Sequence, residues 1–147
     1  MEKTPRIRIG STDEIIDLRH AILRAGLPRD TAKFDGDDEP TTRHVVAELN
    51  GKIIGCVTIL RRPWDDQPAW QLRGMAIEKS LQRAGIGSKL LTEIDHIVRV
   101  EKFSSQMWCN ARVPAVKFYE KHGWRVASEE FSIPTAGPHV KMIKRLD

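Results

Sequence analysis

The stretch "LQRAGIGSKLL", Leu81 to Leu91, sets two glycines, Gly85 and Gly87, directly ahead of an apolar run with helical spacing. Glycine costs about 1 kcal/mol relative to alanine inside a helix, so a pair at a helix start needs a reason. Close approach of an anion supplies one. The first amides of a helix have no intrahelical acceptor, the helix dipole adds partial positive charge, and a bare backbone lets a phosphate reach both. Spacing separates the phosphate cradles. A Walker loop needs GxxxxGK[ST], yet Lys89 follows Ser88 here and no residue fits the first glycine. A dinucleotide fingerprint needs GxGxxG, and Leu90 stands where its third glycine would be. What remains is Q/R-x-x-G-x-G/A, met by Gln82-Arg83-Ala84-Gly85-Ile86-Gly87.

The flanks read as strand before and helix after. "WQLRGMAIEKS" alternates Leu72, Met75 and Ile77 with polar residues, and a β-bulge at Arg73-Gly74 accounts for the break in the alternation. Leu90, Leu91, Ile94, Ile97 and Val98 trace one helical face. "SSQMWCNA" is a short strand, and "PAVKFYEKHG" is a helix with Pro114 near its first turn and Gly123 at its end. "WRVASEEF" and "HVKMIKRL" read as closing strands around "SIPTAGP". Toward the N-terminus, Arg6 to Ile9 is a first strand, and Ser11 with Glu14 forms a capping box for a helix carrying Ile15, Leu18 and Ile22. Gly26 and Pro28 stop that helix. The polar "RDTAKFDGDDEPTTR" is a loop or a broken second helix, and Asn50-Gly51 joins two apolar runs as a hairpin. The order predicts one α+β domain over residues 1–147, built on one mixed sheet.

Composition narrows the function classes. Hydrophobic content is 40% and charged content 30%, as in an ordinary globular protein, and no apolar run is long enough to span a membrane. "MEKTPRIRIG" has no apolar signal core, and Cys56 and Cys109 form no CxxC, so a cytoplasmic protein with reduced thiols is predicted. The five histidines show no metal-ligand spacing, so no metal is expected. The pI of about 9.3 raises nucleic acid as a partner, but the basic residues are dispersed among acids, with no aromatic-basic platform.

At this point the chain resembles the GNAT superfamily of N-acetyltransferases. Three features carry the resemblance: Gln82 to Gly87, the strand-turn-helix "LRGMAIEKSLQRAGIGSKLL", and "AVKFYEKHGW", which is similar to the family's A-x-x-x-Y-E-x-x-G-[FW] segment. The resemblance covers most of the chain. It implies a mixed, mostly antiparallel sheet of about six to seven strands. Helices lie on both faces, and one strand pair splays to admit the pantetheine arm of coenzyme A. It implies that Gln82, Arg83, Ala84, Gly85, Ile86, Gly87 and Ser88 hold the pyrophosphate, mainly through amides, with the Ser88 hydroxyl as an extra donor. The backbone of Met75, Ala76 and Ile77 would pair with pantetheine, as a peptide adds to a sheet edge. Tyr119, the only tyrosine in the chain, aligns with the family's general acid. An asparagine often stands seven residues before that tyrosine and binds pantetheine. Arg112 stands there in this sequence and Asn110 is two residues earlier, so each is a candidate contact.

The resemblance thus implies acetyl-CoA as co-substrate, a small-molecule or peptide amine as acceptor, direct attack in a ternary complex, no nucleic acid or membrane partner, and room for a homodimer. The alternative is a non-catalytic acyl-CoA-binding module. Glu48, Glu78, His44 and His139 are candidate bases. Acceptor contacts are expected from "LRAGLPRDTAKFDGDDEP", "LRRPWDDQPAW" and "FSIPTAGPHVKM". Within them, Asp35, Asp37, Asp38 and Glu39 could attract a cationic amine, Arg61 and Arg62 could bind a carboxylate, and Trp64 or Trp70 could wall a pocket.

Overall fold

The computed structural model describes residues 3–147. Its strands are β1 (Arg6–Gly10), β2 (Arg43–Leu49), β3 (Lys52–Arg61), β4 (Trp70–Ile77), β5 (Gln106–Arg112), β6 (Arg125–Val126), β7 (Phe131–Ile133) and β8 (Gly137–Arg145). Its helices are α1 (Thr12–Leu23), α2 (Ile86–Glu101) and α3 (Val116–Lys121). The eight strands form one sheet in the order β1-β2-β3-β4-β5-β8-β6, with β7 beside β8. Only the β4–β5 pairing is parallel. The strand count exceeds the sequence reading because "WRVASEEF" gives only the two-residue β6, and its last residue, Phe131, opens a separate strand, β7, that runs into "SIPTAGP".

Local signals explain the main elements. Ser11 and Glu14 exchange both capping-box bonds at the start of α1. Asn50 (φ 51°) and Gly51 (φ 79°) supply the two left-handed residues that turn β2 into β3. The acidic segment after α1 makes one 3₁₀ turn, Arg29–Ala32, and then further turns.

Strand alternation sends side chains to two opposite cores. Val45, Ala47, Val57 and Ile59 pack against Leu90, Leu91, Ile94 and Ile97 of α2. Their neighbours Val46 and Cys56 pack against Ile15 and Leu18 of α1. One feature of β4 breaks this parity. Arg73 pairs with Thr58 and Ala76 with Cys56, so two residues of β4, Gly74 and Met75, oppose the single Val57. Gly74 takes φ 68°, as such a bulge requires. Leu72 therefore faces α2, whereas Ala76, four residues on, faces α1.

Past the bulge the sheet opens. Parallel pairing of β4 with β5 covers Trp70–Met107, Gln71–Trp108 and Leu72–Cys109 and stops there, although β4 runs on to Ile77 and β5 to Arg112. The two strands diverge as a V whose mouth lies beside the N-terminus of α2.

Candidate active site

The α2 entry loop follows the β4 arm of the V. Arg83 (φ 68°) and Gly85 (φ 83°) both lie in the left-handed region, and Gly85 is the N-cap. The first capping bond of the helix runs from the Lys89 amide to the Gly85 carbonyl, leaving the amides of Ile86, Gly87 and Ser88 without intrahelical acceptors. Residues 82–85 just ahead of them are exposed, so the start of the helix is open on the loop side, as an anion cradle requires. The Gln82 side chain donates to the Ile77 carbonyl at 3.0 Å and so ties the loop to the end of β4. Ile86 is buried in the core and presents only its backbone to the loop. The Ser88 hydroxyl is 2.9 Å from His122 Nε2, which holds it against α3.

The two glycines have different causes. Around Gly85 a Cβ would meet nothing within 4 Å, and it is the φ of 83° that favours glycine. At Gly87 a Cβ would stand 2.9 Å from the Phe118 ring. Gly87 thus lets α3 pack down on α2 as well as baring an amide. Gly85→Glu is expected to abolish acetyl-CoA binding in calorimetry while leaving the circular dichroism spectrum of the fold. A retained affinity would move the pyrophosphate away from this loop.

A cleft of about 300 Å³ occupies the opening between β4 and β5. Met75, Asn110, Arg112 and Tyr119 line it. Ala76 and Ile77 stand beside it: Ala76 is buried under α1, and Ile77 packs on the main core. Loop residues 82–88 lie outside its lining. The Asn110 carboxamide oxygen accepts from Lys141 Nζ at 3.0 Å, which leaves its NH₂ group free.

Tyr119 reaches the cleft from the α2/α3 side. Its ring lies between Phe118 (5.3 Å) and Trp124 (5.7 Å). Among the described residues its hydroxyl has no hydrogen-bond partner. Burial, and then the neighbouring Cys109, push its pKa well above the usual phenol value. Cys109 lines the same cleft, and burial pushes its thiol up to about 12. Cys56 is likewise raised to about 12, so neither cysteine offers a ready thiolate nucleophile.

The face toward α1 carries different chemistry. Alternation places Gln71 and Arg73 of β4, Asn110 and Arg112 of β5, and His139 of β8 on that face, opposite Tyr119. His139 lines the cleft, and its Nδ1 is 2.8 Å from the Gly137 carbonyl. A carbonyl only accepts, so Nδ1 carries the hydrogen and Nε2 of the neutral ring has a free lone pair. The other three base candidates are engaged elsewhere. Glu48 is bound by Arg8 at 2.8 Å, Glu78 by Lys52 at 3.1 Å, and His44 bonds Thr58 (2.7 Å) and the Asp37 carbonyl (2.9 Å).

The acceptor-side expectations need correction. Asp37 does not face an amine; it is buried and bound by Arg19 (2.7 and 3.1 Å) and Arg73 (3.2 Å). Asp38 pairs with Lys33 and Glu39 with Arg62, while Asp35 is exposed. Arg61 lies over the Phe103 ring at 4.1 Å, and Trp70 is wholly buried beside that ring. Trp64 stacks on Trp108 at 5.8 Å, outside the cleft. Of the three expected segments, the first supplies Leu23, Arg24 and Phe34, and the last supplies Ile133, Ala136 and His139. The second supplies none of the lining. Arg24, Gln71 and Arg73 escaped the sequence reading. Strict alternation around the bulge would have placed Gln71 and Arg73 together, but nothing local marks that face as open.

Comparison with known proteins agrees with the fold. The Acetyltransferase (GNAT) domain family matches residues 40–126. The chain belongs to the GNAT acetyltransferase family. The GNAT match spans the hairpin, the bulged β4, the amide cradle and Tyr119. The chain is 29% identical over 139 residues, 92% of its length and 93% of the relative's, to the uncharacterized N-acetyltransferase YitI of Bacillus subtilis. The fold is shared with Escherichia coli ElaA (TM-score 0.80, 17% identity, 96% and 99% of the two chains). It is shared too with a GNAT acetyltransferase from Elizabethkingia anophelis solved with acetyl-CoA bound (TM-score 0.69, 16% identity, 99% and 100%).

Proposed function

We propose that this GNAT protein is an acetyl-CoA-dependent N-acetyltransferase that moves an acetyl group to a primary amine by direct attack in a ternary complex. The opening of β4 from β5, with the α2 amide cradle at its mouth and Tyr119 inside it, carries the reading.

Acetyl-CoA as substrate brings a thioester whose carbonyl carbon is attacked and whose sulfur leaves. The amides of Ile86, Gly87 and Ser88 hold its pyrophosphate, with Arg83 nearby in charge and Gly85 shaping the turn. The backbone of Met75 to Ile77, unpaired on its β5 side, receives the pantetheine amides and offers an N–H to the negative charge growing on the acyl oxygen. Asn110 NH₂ and Arg112 are at the same seam.

Acid and base then act from opposite faces of the sheet. On the α1 side, His139 Nε2 takes the proton that the acceptor ammonium must lose. The amine nitrogen forms its bond to the acyl carbon, sheds its second proton to solvent, and the carbon–sulfur bond breaks. On the α2 side, Tyr119 passes its phenolic proton to the departing sulfur and regains one from solvent. An isolated phenol near pKa 10 is a weak acid toward a thiolate near 8.5. Burial that lifts Tyr119 also lifts Cys109 beside it to about 12, and a coenzyme thiol in the cleft meets the same desolvation, so the departing thiolate becomes a stronger base for the phenolic proton.

The test is thiol release from acetyl-CoA against amino acids, polyamines, aminoglycosides and peptides. At least one amine should raise the rate well above hydrolysis. Tight acetyl-CoA binding with a flat response to every amine would instead mark a binding module.

A further inference from the structure

We propose that the acceptor is a primary amine that also carries a carboxylate, of the α-amino-acid kind, and that Arg73 and Arg24 bind that carboxylate. The proposal rests on the transferase reading above and adds the chemistry of its acceptor. Its basis is the sign of the charge around the α1-facing half of the cleft.

That lining contains Arg24, Arg73, Arg112 and His139 and not one Asp or Glu. Three nearby acids are already spent, and Asp35 keeps its carboxylate exposed and outside the lining. Asp37 is enclosed by Arg19 and Arg73, Asp38 holds Lys33, and Glu39 holds Arg62. A polyamine or aminoglycoside entering here would meet guanidinium groups with no counter-ion for its extra ammonium groups. A carboxylate would meet two planar forks whose geometry it matches.

Both arginines keep donors in reserve. Arg73 spends Nη2 on the Asp35 carbonyl and Asp37 and, among the described residues, leaves Nη1 without a partner, while its Nε is buried. Arg24 has a single long contact, Nε to the Thr31 hydroxyl at 3.4 Å. Phe34 shares the lining with them, the Arg73 guanidinium standing 5.5 Å from its ring centre. These cations do not belong to the pyrophosphate. Arg24 ends α1, and Arg73 points to the α1 face through its bonds to Asp37, whereas the amide cradle opens α2 on the opposite face.

The experiment follows initial rates of thiol release with L-leucine, leucinamide and isoamylamine as a matched trio, alongside the other common L-α-amino acids, spermidine and phosphoethanolamine. The proposal expects acceptors with a carboxylate to exceed their amides and decarboxylated forms in kcat/KM. It expects Arg24→Gln to raise the KM of the best amino acid about 10- to 100-fold with Kd for acetyl-CoA unchanged. Arg73→Gln should do the same, but Arg24→Gln is the cleaner variant because Arg73 also braces Asp37. Preference for leucinamide, isoamylamine or spermidine overturns the proposal, as does an Arg24→Gln variant with unaltered KM. Preference for phosphoethanolamine replaces the carboxylate with a phosphate and overturns it too. If no amine releases thiol, the transferase reading fails by itself. Titration of the amino-acid panel into the CoA-loaded protein then decides the recognition claim: heat with leucine and none with leucinamide upholds it, and no heat from any amino acid overturns it.

Discussion

Tyr119→Phe is expected to lower kcat/KM by about 100- to 10,000-fold while leaving Kd for acetyl-CoA unchanged. The substitution is unusually clean. The hydroxyl has no partner among the described residues, so its removal breaks no structural hydrogen bond. The ring keeps its packing against Phe118 and Trp124, and Tm should move little. No second tyrosine exists to take over. Because burial holds the phenol above its ordinary value, Tyr119 stays protonated throughout the neutral and mildly alkaline range. The wild-type rate should therefore rise with pH as the acceptor amine loses its proton, without a falling limb from Tyr119 in that range. A rate unchanged in the variant, measured by steady-state thiol release, would remove Tyr119 from the acid role.

Legibility in the sequence followed the range of the interaction. The strand-turn-helix around Gly85 and Gly87, the Ser11/Glu14 capping box and the Asn50-Gly51 hairpin were readable because each is fixed within a few residues by backbone conformation. The bulge at Gly74 was visible as a fault in alternation, but its consequence, the flip that turns Arg73 and Ala76 to one face, needs the β3 partner. Gly87 read as a bared amide, and the Phe118 ring above it comes from a helix some thirty residues away. The acidic run misled for a related reason. Charge counting sees Asp37 as one of four solvated carboxylates, whereas the fold buries it against Arg19 and Arg73 from α1 and β4. Long-range ion pairs leave no local mark, so the acceptor half of the site was the least legible part of the chain.

Asp37→Asn is expected to cost about 3–5 kcal/mol of stability, because it leaves the buried Arg19 guanidinium without its counter-charge. For a chain of this size that is a Tm loss of about 10 °C, measurable by calorimetry. Asp37 accepts two bonds from Arg19, one from the Phe34 amide at 2.7 Å and one from Arg73. Burial alone would raise its pKa, but these bonds outweigh burial and hold it below the ordinary 3.8. A group with a depressed folded pKa stabilises above its unfolded value, and that stability is lost as pH falls through the folded one. His44 obeys the same rule higher up. Burial keeps it neutral with a pKa below 6.5, against the Asp37 carbonyl and near Arg19 and Arg73. Wild-type stability should thus fall first as pH drops below about 6.5 and again below about 4. Asp37→Asn should lessen the second fall, to which Glu14, Asp38 and Glu39 also contribute, and keep the first. The double variant Arg19→Met with Asp37→Leu replaces the buried pair with apolar groups and should regain much of the lost Tm. Arg73 would still lack its brace there. Recovery of Tm with the acceptor KM still raised would show that Asp37 serves the fold through Arg19 and the cleft through Arg73.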